Sequence, residues 1–268
     1  MRLKKSHGLF ISHGGGPMPL LGDPGHQALL DRLKEFRNFL PKPSAILVIS
    51  AHWEEAVPAI TSGNNPGLIY DYYGFPQEAY EVQYPAPGEP ELANRIHQTL
   101  AQAGIESRLD DQRGFDHGMF VPLKMMFPQA DIPVVQLSLA SSLDPERHLA
   151  MGEALKGLDW DNLLVVGSGF SFHNMRAFFA APSQEVTDLN QGFERWLLET
   201  CTGDLSEAER RQRLVNWDQA PGARFCHPRE EHLLPLHVCY GLASRVASGA
   251  YPAKILGKDS GMFHWQLD

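Results

Sequence analysis

Apolar residues along this chain follow two alternating rhythms. Short unbroken runs, Gly8 to Ser12, Ala45 to Ala51, Ile132 to Leu139 and Leu163 to Gly167, read as strands buried on both faces. Between them the apolar positions fall three and four apart, at Leu29, Leu33, Phe36 and Leu40 and again at Leu92, Ile96, Leu100 and Ala103. Each of these segments can lay one apolar stripe on a sheet. Asp144 followed by Pro145 supplies an N-cap and a first-turn proline for a third helix through Leu155. Two more helices are expected over Glu185 to Cys201 and Glu230 to Arg245. Strands and helices in this order predict an α/β fold, a single domain over residues 1–268 with a central, mostly parallel or mixed sheet flanked by helices.

From Asn64 to Pro90 both rhythms stop. Six aromatics, Tyr70, Tyr72, Tyr73, Phe75, Tyr80 and Tyr84, are interleaved with prolines and glycines. So many rings in one irregular stretch predict an ordered cover over a site rather than a linker. Charge then narrows the partners: 23 Lys and Arg against 32 Asp and Glu leave a net charge of −9, which argues against a nucleic-acid footprint. No apolar run approaches the ~18 residues of a membrane span. Arg2, Lys4 and Lys5 resemble the start of a secretory signal, but Gly8 to Ser12 is too short for its apolar region, so the mature chain is expected to start at Met1. Cys201, Cys226 and Cys239 form no C-x-x-C pair, and three is an odd number, so a reducing, cytoplasmic setting is expected.

The candidate chemistry lies in the twelve histidines. His13 and His52 follow strand runs directly, and His173 follows Leu163 to Gly167 by a few residues. The carboxyl ends of strands form the ligand crevice of open α/β sheets, so these side chains can converge there. Two further segments add candidates. In Gly114-Phe115-Asp116-His117-Gly118, Asp116 or a nearby carbonyl can orient His117. His227 to His237 reads as the start of a helix with Pro228 in its first turn; five-residue spacings there turn His227, His232 and His237 about 140° apart, so one at most faces the site. Clustered neutral imidazoles point to a metal, and imidazole suits zinc, iron, copper and nickel alike. An open site with three protein ligands fits better than a closed structural one, because no cysteine occupies a strand end. His13-Gly14-Gly15-Gly16 also resembles the oxyanion loop of lipases, but no G-x-S-x-G elbow accompanies it.

Taken in order, the segments resemble the class III extradiol ring-cleavage dioxygenases, in the branch that acts on 4,5-DOPA. The resemblance spans nearly the whole chain. It is carried by Ser12-His13-Gly14-Gly15-Gly16-Pro17, Ser50-Ala51-His52-Trp53, Tyr84-Pro85-Ala86-Pro87-Gly88, Gly114-Phe115-Asp116-His117-Gly118, Val134-Val135-Gln136-Leu137-Ser138, His173-Asn174 and Glu231-His232-Leu233-Leu234-Pro235-Leu236. It implies His13, His52 and His232 as metal ligands, His173 as a fourth ligand or an acid–base group, and His117 as a second proton-handling residue, with His173 the base that deprotonates the catechol. The E-H-x-L-P-L pattern puts His232 in the ligand slot; related enzymes use a carboxylate there, so Glu231 stays as the alternative. The cofactor implied is Fe(II), with Zn(II) as another occupant, and the partners are a small aromatic diol and O2, giving a ring-opened semialdehyde. No residue is assigned to substrate binding; Arg229 is a candidate partner for a substrate carboxylate. A zinc hydrolase using the same histidines is the competing reading, and a non-catalytic, partner-binding relative a third.

Overall fold

The computed structural model describes residues 6–267. Arg2, Lys4 and Lys5 lie outside the described residues. Six strands come first: β1 (His7–Ser12), β2 (Ala45–Glu55), β3 (Ala59–Thr61), β4 (Arg108–Asp110), β5 (Val134–Ala140) and β6 (Leu163–Gly169). Four short ones follow: β7 (Gly249–Ala250), β8 (Ala253–Ile255), β9 (Lys258–Ser260) and β10 (Phe263–Gln266). One sheet runs in the order β4-β3-β5-β2-β6-β1-β10-β7, and β8 and β9 form a separate hairpin. The central strands β5, β2, β6 and β1 pair in parallel, while β3 with β5, β1 with β10 and β10 with β7 are antiparallel. The expected mixed α/β sheet is therefore present.

Helices cover both faces: α1 (Gln27–Phe39), α2 (Pro90–Gln102), α3 (His117–Met126), α4 (Pro145–Leu155), α5 (Met175–Phe179), α6 (Gln184–Thr202), α7 (Glu207–Val215), α8 (Ala223–Cys226) and α9 (Leu234–Ala243). Alternation along the strands feeds two cores. Ile46 and Val48 of β2 and Leu164 and Val166 of β6 join one; Leu47, Ile49, Leu163 and Val165 join the other. Both cores are sealed, which is why these strands read as continuous apolar runs. Helix α9 is buried on every side and packs on both α4 and β6. None of the helices among the described residues is long and apolar enough to cross a membrane.

The capping signals act as written. Asp144 accepts from the Glu146 amide at the start of α4, and Ser183 accepts from that of Val186 at the start of α6. Two boundaries differ from expectation. Strand β2 runs through His52 to Glu55, and its pairing with β5 shifts between Ile49 and Glu54, a bulge that re-aims the residues between them. The helix expected from His227 begins only at Leu234, with Pro235 rather than Pro228 in its first turn. The physical reason is that the His232 carbonyl accepts from the Phe170 amide at 2.9 Å and so is tied to the end of β6.

Candidate metal centre and active site

His13, the first residue after β1, His52 in the bulge of β2 and His232 in the turn before α9 meet at the carboxyl ends of the central strands. One ring nitrogen from each lies within 4.8 Å of the other two. The Nε2 atoms of His13 and His52 are 3.0 Å apart. That is about the spacing of two nitrogens on adjacent corners around one ion with bonds of ~2.1 Å. Gly169 makes the assembly possible, because a side chain there would press into the His232 carbonyl.

Hydrogen bonds on the far side of the His13 and His232 rings set their tautomers. His13 Nδ1 lies 3.1 Å from Ser168 Oγ, whose own proton goes to the Gly118 carbonyl at 2.5 Å, so Nδ1 donates and Nε2 keeps its lone pair. His232 Nδ1 donates to Glu231 Oε1 at 2.9 Å, which leaves Nε2 buried without a hydrogen-bond partner among the described residues. Burial, reinforced by the neighbouring imidazoles, pushes His13 and His52 well below the usual histidine range and His232 down to about 3. At neutral pH all three are uncharged donors with a lone pair to give. Such a set fits a divalent cation: it offers nitrogen ligands, it carries no charge of its own, and one of its atoms lacks a partner.

Glu231 is the anion beside this cluster. Burial alone would raise its pKa, but hydrogen bonds from His173 and His232 outweigh burial and hold it well below the carboxylate range. His173 stacks on His232, with ring centroids 3.4 Å apart, and its Nδ1 is 3.3 Å from Glu231 Oε1. On its other side His173 borders a cavity of about 690 Å³ that Asn174, Met175, Arg176, Phe225 and Arg229 also line.

His117 opens α3 and lies edge-on to His13, ring centroids 5.4 Å apart. Asp116 or a nearby carbonyl is the partner expected for its ring, but Asp71 takes that place, accepting from His117 Nδ1 at 2.8 Å and from its backbone amide at 3.0 Å. Asp116 points the other way, accepting from Ser50 at 2.7 Å, Arg113 at 3.1 Å and Gln136. Asp71 belongs to the aromatic stretch, whose phenols are pinned to backbone carbonyls, Tyr70 to Val82 and Tyr72 to Ala79. Tyr72 lies edge-on to His117, so this stretch does close over the histidines. Of the other two histidines in the 227–237 segment, His227 donates to the Ser171 carbonyl and His237 to that of Leu214, and both are buried. Arg229 grips Glu54 through two parallel bonds of 2.5 and 2.6 Å, so its charge is already matched. Sequence reasoning missed Asp71 and Glu54: Asp71 lies in an irregular stretch, and Glu54 lies beyond the apolar run of β2, where the pairing with β5 has shifted.

Comparison with known proteins places these features. The family described as the catalytic LigB subunit of aromatic ring-opening dioxygenase matches residues 8–265. Dioxygenase tasH of Hapsidospora irregularis is 40% identical over 274 residues, covering 95% of this chain and 84% of that protein. The 4,5-DOPA dioxygenase extradiol of Beta vulgaris is 41% identical over 236 residues, covering 87% and 85%. The protein of the same name from Escherichia coli (strain K12) is 37% identical over 233 residues, covering 85% and 82%. The crystal structure of an uncharacterized protein from Escherichia coli K12 superposes with a TM-score of 0.75 at 29% identity, over 97% of this chain and 99% of that one. Enzymes of this family depend on a non-haem metal, and the match favours ring opening over the hydrolase reading. With a family match over nearly its whole length and relatives at about 40% identity, the chain belongs to the LigB family of aromatic ring-opening dioxygenases, as an extradiol enzyme.

Proposed function

We propose that this enzyme opens the ring of a small catechol with a polar side chain, DOPA or a close relative, using Fe(II) held by His13, His52 and His232. The observation that carries the reading is the buried, unpartnered Nε2 of His232 beside His13 and His52. Glu231 serves in this reading as the acceptor that orients His232, because its Oε1 already receives the His232 Nδ1 proton. His13, His52 and His232 would hold the ion with room for further ligands, catechol and O2. Bound there, Fe(II) would supply the redox chemistry that O2 needs.

The chain's own residues handle protons. His173 borders the cavity, and Glu231 steadies its Nδ1, so its Nε2 can take a proton from a catechol hydroxyl. This placement supports an acid–base role, since His173 borders the cavity and its Nδ1 is turned to Glu231. Asp71 fixes the tautomer of His117, which offers Nε2 as a second proton-handling site on the other flank. The site draws on residues from His13 to His232, and the family match runs over 8–265, which supports one catalytic unit over 1–268. Three buried, free cysteines support a reducing, cytoplasmic setting.

Anaerobic loading with Fe(II), followed by oxygen-electrode measurements on a catechol panel, tests the proposal. Oxygen uptake with DOPA and a yellow ring-opened product are expected. Zn(II), which has no redox chemistry, is expected to bind and give no turnover. Iron-loaded protein that consumes no oxygen with any catechol overturns the reading.

A further inference from the structure

The 690 Å³ cavity meets the histidine cluster at His173 and Glu231 and opens outward between α5 and the turn before α9. Its walls are largely apolar, with Met175, Ala177, Ala180, Val186 and Phe225 contributing. Two guanidinium groups reach it, and they differ in one respect. Arg229 is locked on Glu54 and lies 3.3 Å from Glu231 as well, one cation facing two carboxylates. Arg176 is exposed and has no acidic partner within ion-pair distance among the described residues. It is the uncompensated cation of the cavity wall, in a protein whose net charge of −9 would otherwise repel an anionic ligand.

The position of Arg176 is also built. It lies three residues after His173, in the first turn of α5, and Asn174 caps the start of that turn. The Asn174 side chain accepts from the Ala177 amide at 3.1 Å and donates to the Phe225 carbonyl at 2.7 Å, while the His173 amide donates to Cys226 at 2.8 Å. The catechol-facing histidine and the cation are thus carried by one short, hydrogen-bonded segment.

Resting on the ring-opening reading, we infer that this cavity receives the side chain of the substrate and that Arg176 binds its carboxylate, making catechols with an anionic tail the preferred class. Arg176 takes the role that sequence alone suggested for Arg229, whose charge is already matched by Glu54. A guanidinium pairs with a carboxylate through two parallel bonds, which an ammonium cannot do.

The test compares three catechols on iron-loaded protein: DOPA, 3,4-dihydroxyphenylpropionate, which keeps the carboxylate and lacks the amine, and dopamine, which keeps the amine and lacks the carboxylate. Arg176→Gln is expected to raise KM about tenfold for the first two, with kcat retained, and to leave dopamine unchanged. Arg176→Lys should recover part of the loss. Anaerobic binding of 3,4-dihydroxyphenylpropionate, followed by calorimetry, should weaken by a similar factor in Arg176→Gln. Equal effects on all three substrates, or none, overturn the inference. Turnover of dopamine by the unaltered protein keeps the ring-opening reading standing in that event, whereas failure of all three catechols with the unaltered protein removes both.

Discussion

Asp71 receives two protons from one residue, the ring and the backbone amide of His117, so it fixes where that histidine sits and which nitrogen is free. Asp71→Ala should lower kcat about ten- to a hundredfold with metal content unchanged, and Asp71→Asn, which keeps an accepting oxygen, should restore most of it. An unchanged kcat in Asp71→Ala would remove the orienting role. Glu231→Gln likewise keeps an acceptor for His232, and is expected to weaken metal binding about ten- to a hundredfold without abolishing it, while His232→Ala abolishes it. The reverse ranking, read by metal analysis after dialysis, would make the carboxylate the ligand. The five histidines of the site were legible because imidazoles after strand runs are conspicuous in a one-dimensional reading. Their carboxylate partners were less so: Asp71 meets His117 only through the packing of an irregular loop, and Glu231, next to His232 in the chain, reads in sequence equally as ligand or as support. Glu194 has its Oε1 sealed from solvent without a hydrogen-bond partner among the described residues, and burial pushes its pKa up to about 8. A group raised in the folded state supports folding below its unfolded value near 4.5 and loses that support as pH rises through about 8. Glu194→Gln should therefore raise Tm at pH 8 and give little gain at pH 5.

Helices α4 and α9 show what an element-scale pattern conveys and what it hides. Helix α4 was legible from Asp144-Pro145, and α9 from its apolar density, but their closeness was not. Gly152 lies where a Cβ would run into the Val238 carbonyl and the Leu242 amide of α9. In an exposed helix, Gly→Ala stabilises by about 1 kcal/mol. Here Gly152→Ala should instead destabilise, by about 1–3 kcal/mol, because the added methyl forces two backbones apart. Urea unfolding decides the sign. The parallel strands were equally legible, since burial on both faces writes a continuous apolar run. Strands β7 to β10 are two to four residues long and carry Lys254, Lys258 and Asp259, too short and polar to show a period. Helix α3 was hidden for another reason: Gly118 and Pro122 inside it disguise a helix that burial sustains.

Across the whole molecule, histidines are kept neutral by burial well beyond the metal-binding cluster. His148 and His227 are fully buried, and burial lowers them to about 4 and about 3. A histidine depressed in the folded state contributes stability that is present above its unfolded value near 6.5 and is lost as pH falls toward the folded value. Metal-free protein should accordingly fall in Tm steadily from pH 6.5 to 4, as each such group removes about 1.4 kcal/mol of unfolding free energy per pH unit. A flat profile over that interval would mean these rings take up protons without unfolding. The sheet order carries a different consequence, for biosynthesis. Strand β1 is the first to leave the ribosome, yet its two neighbours are β6 and β10, and His7 meets His264 across 257 positions of chain. At roughly 5–20 residues per second, β1 waits on the order of 10 s or more for its first neighbour, and its other edge stays open until β10 has been made. A nascent chain of this topology carries a naked apolar strand until β6 and β10 have been made, which makes it a natural client for a chaperone that shields strand edges over that interval.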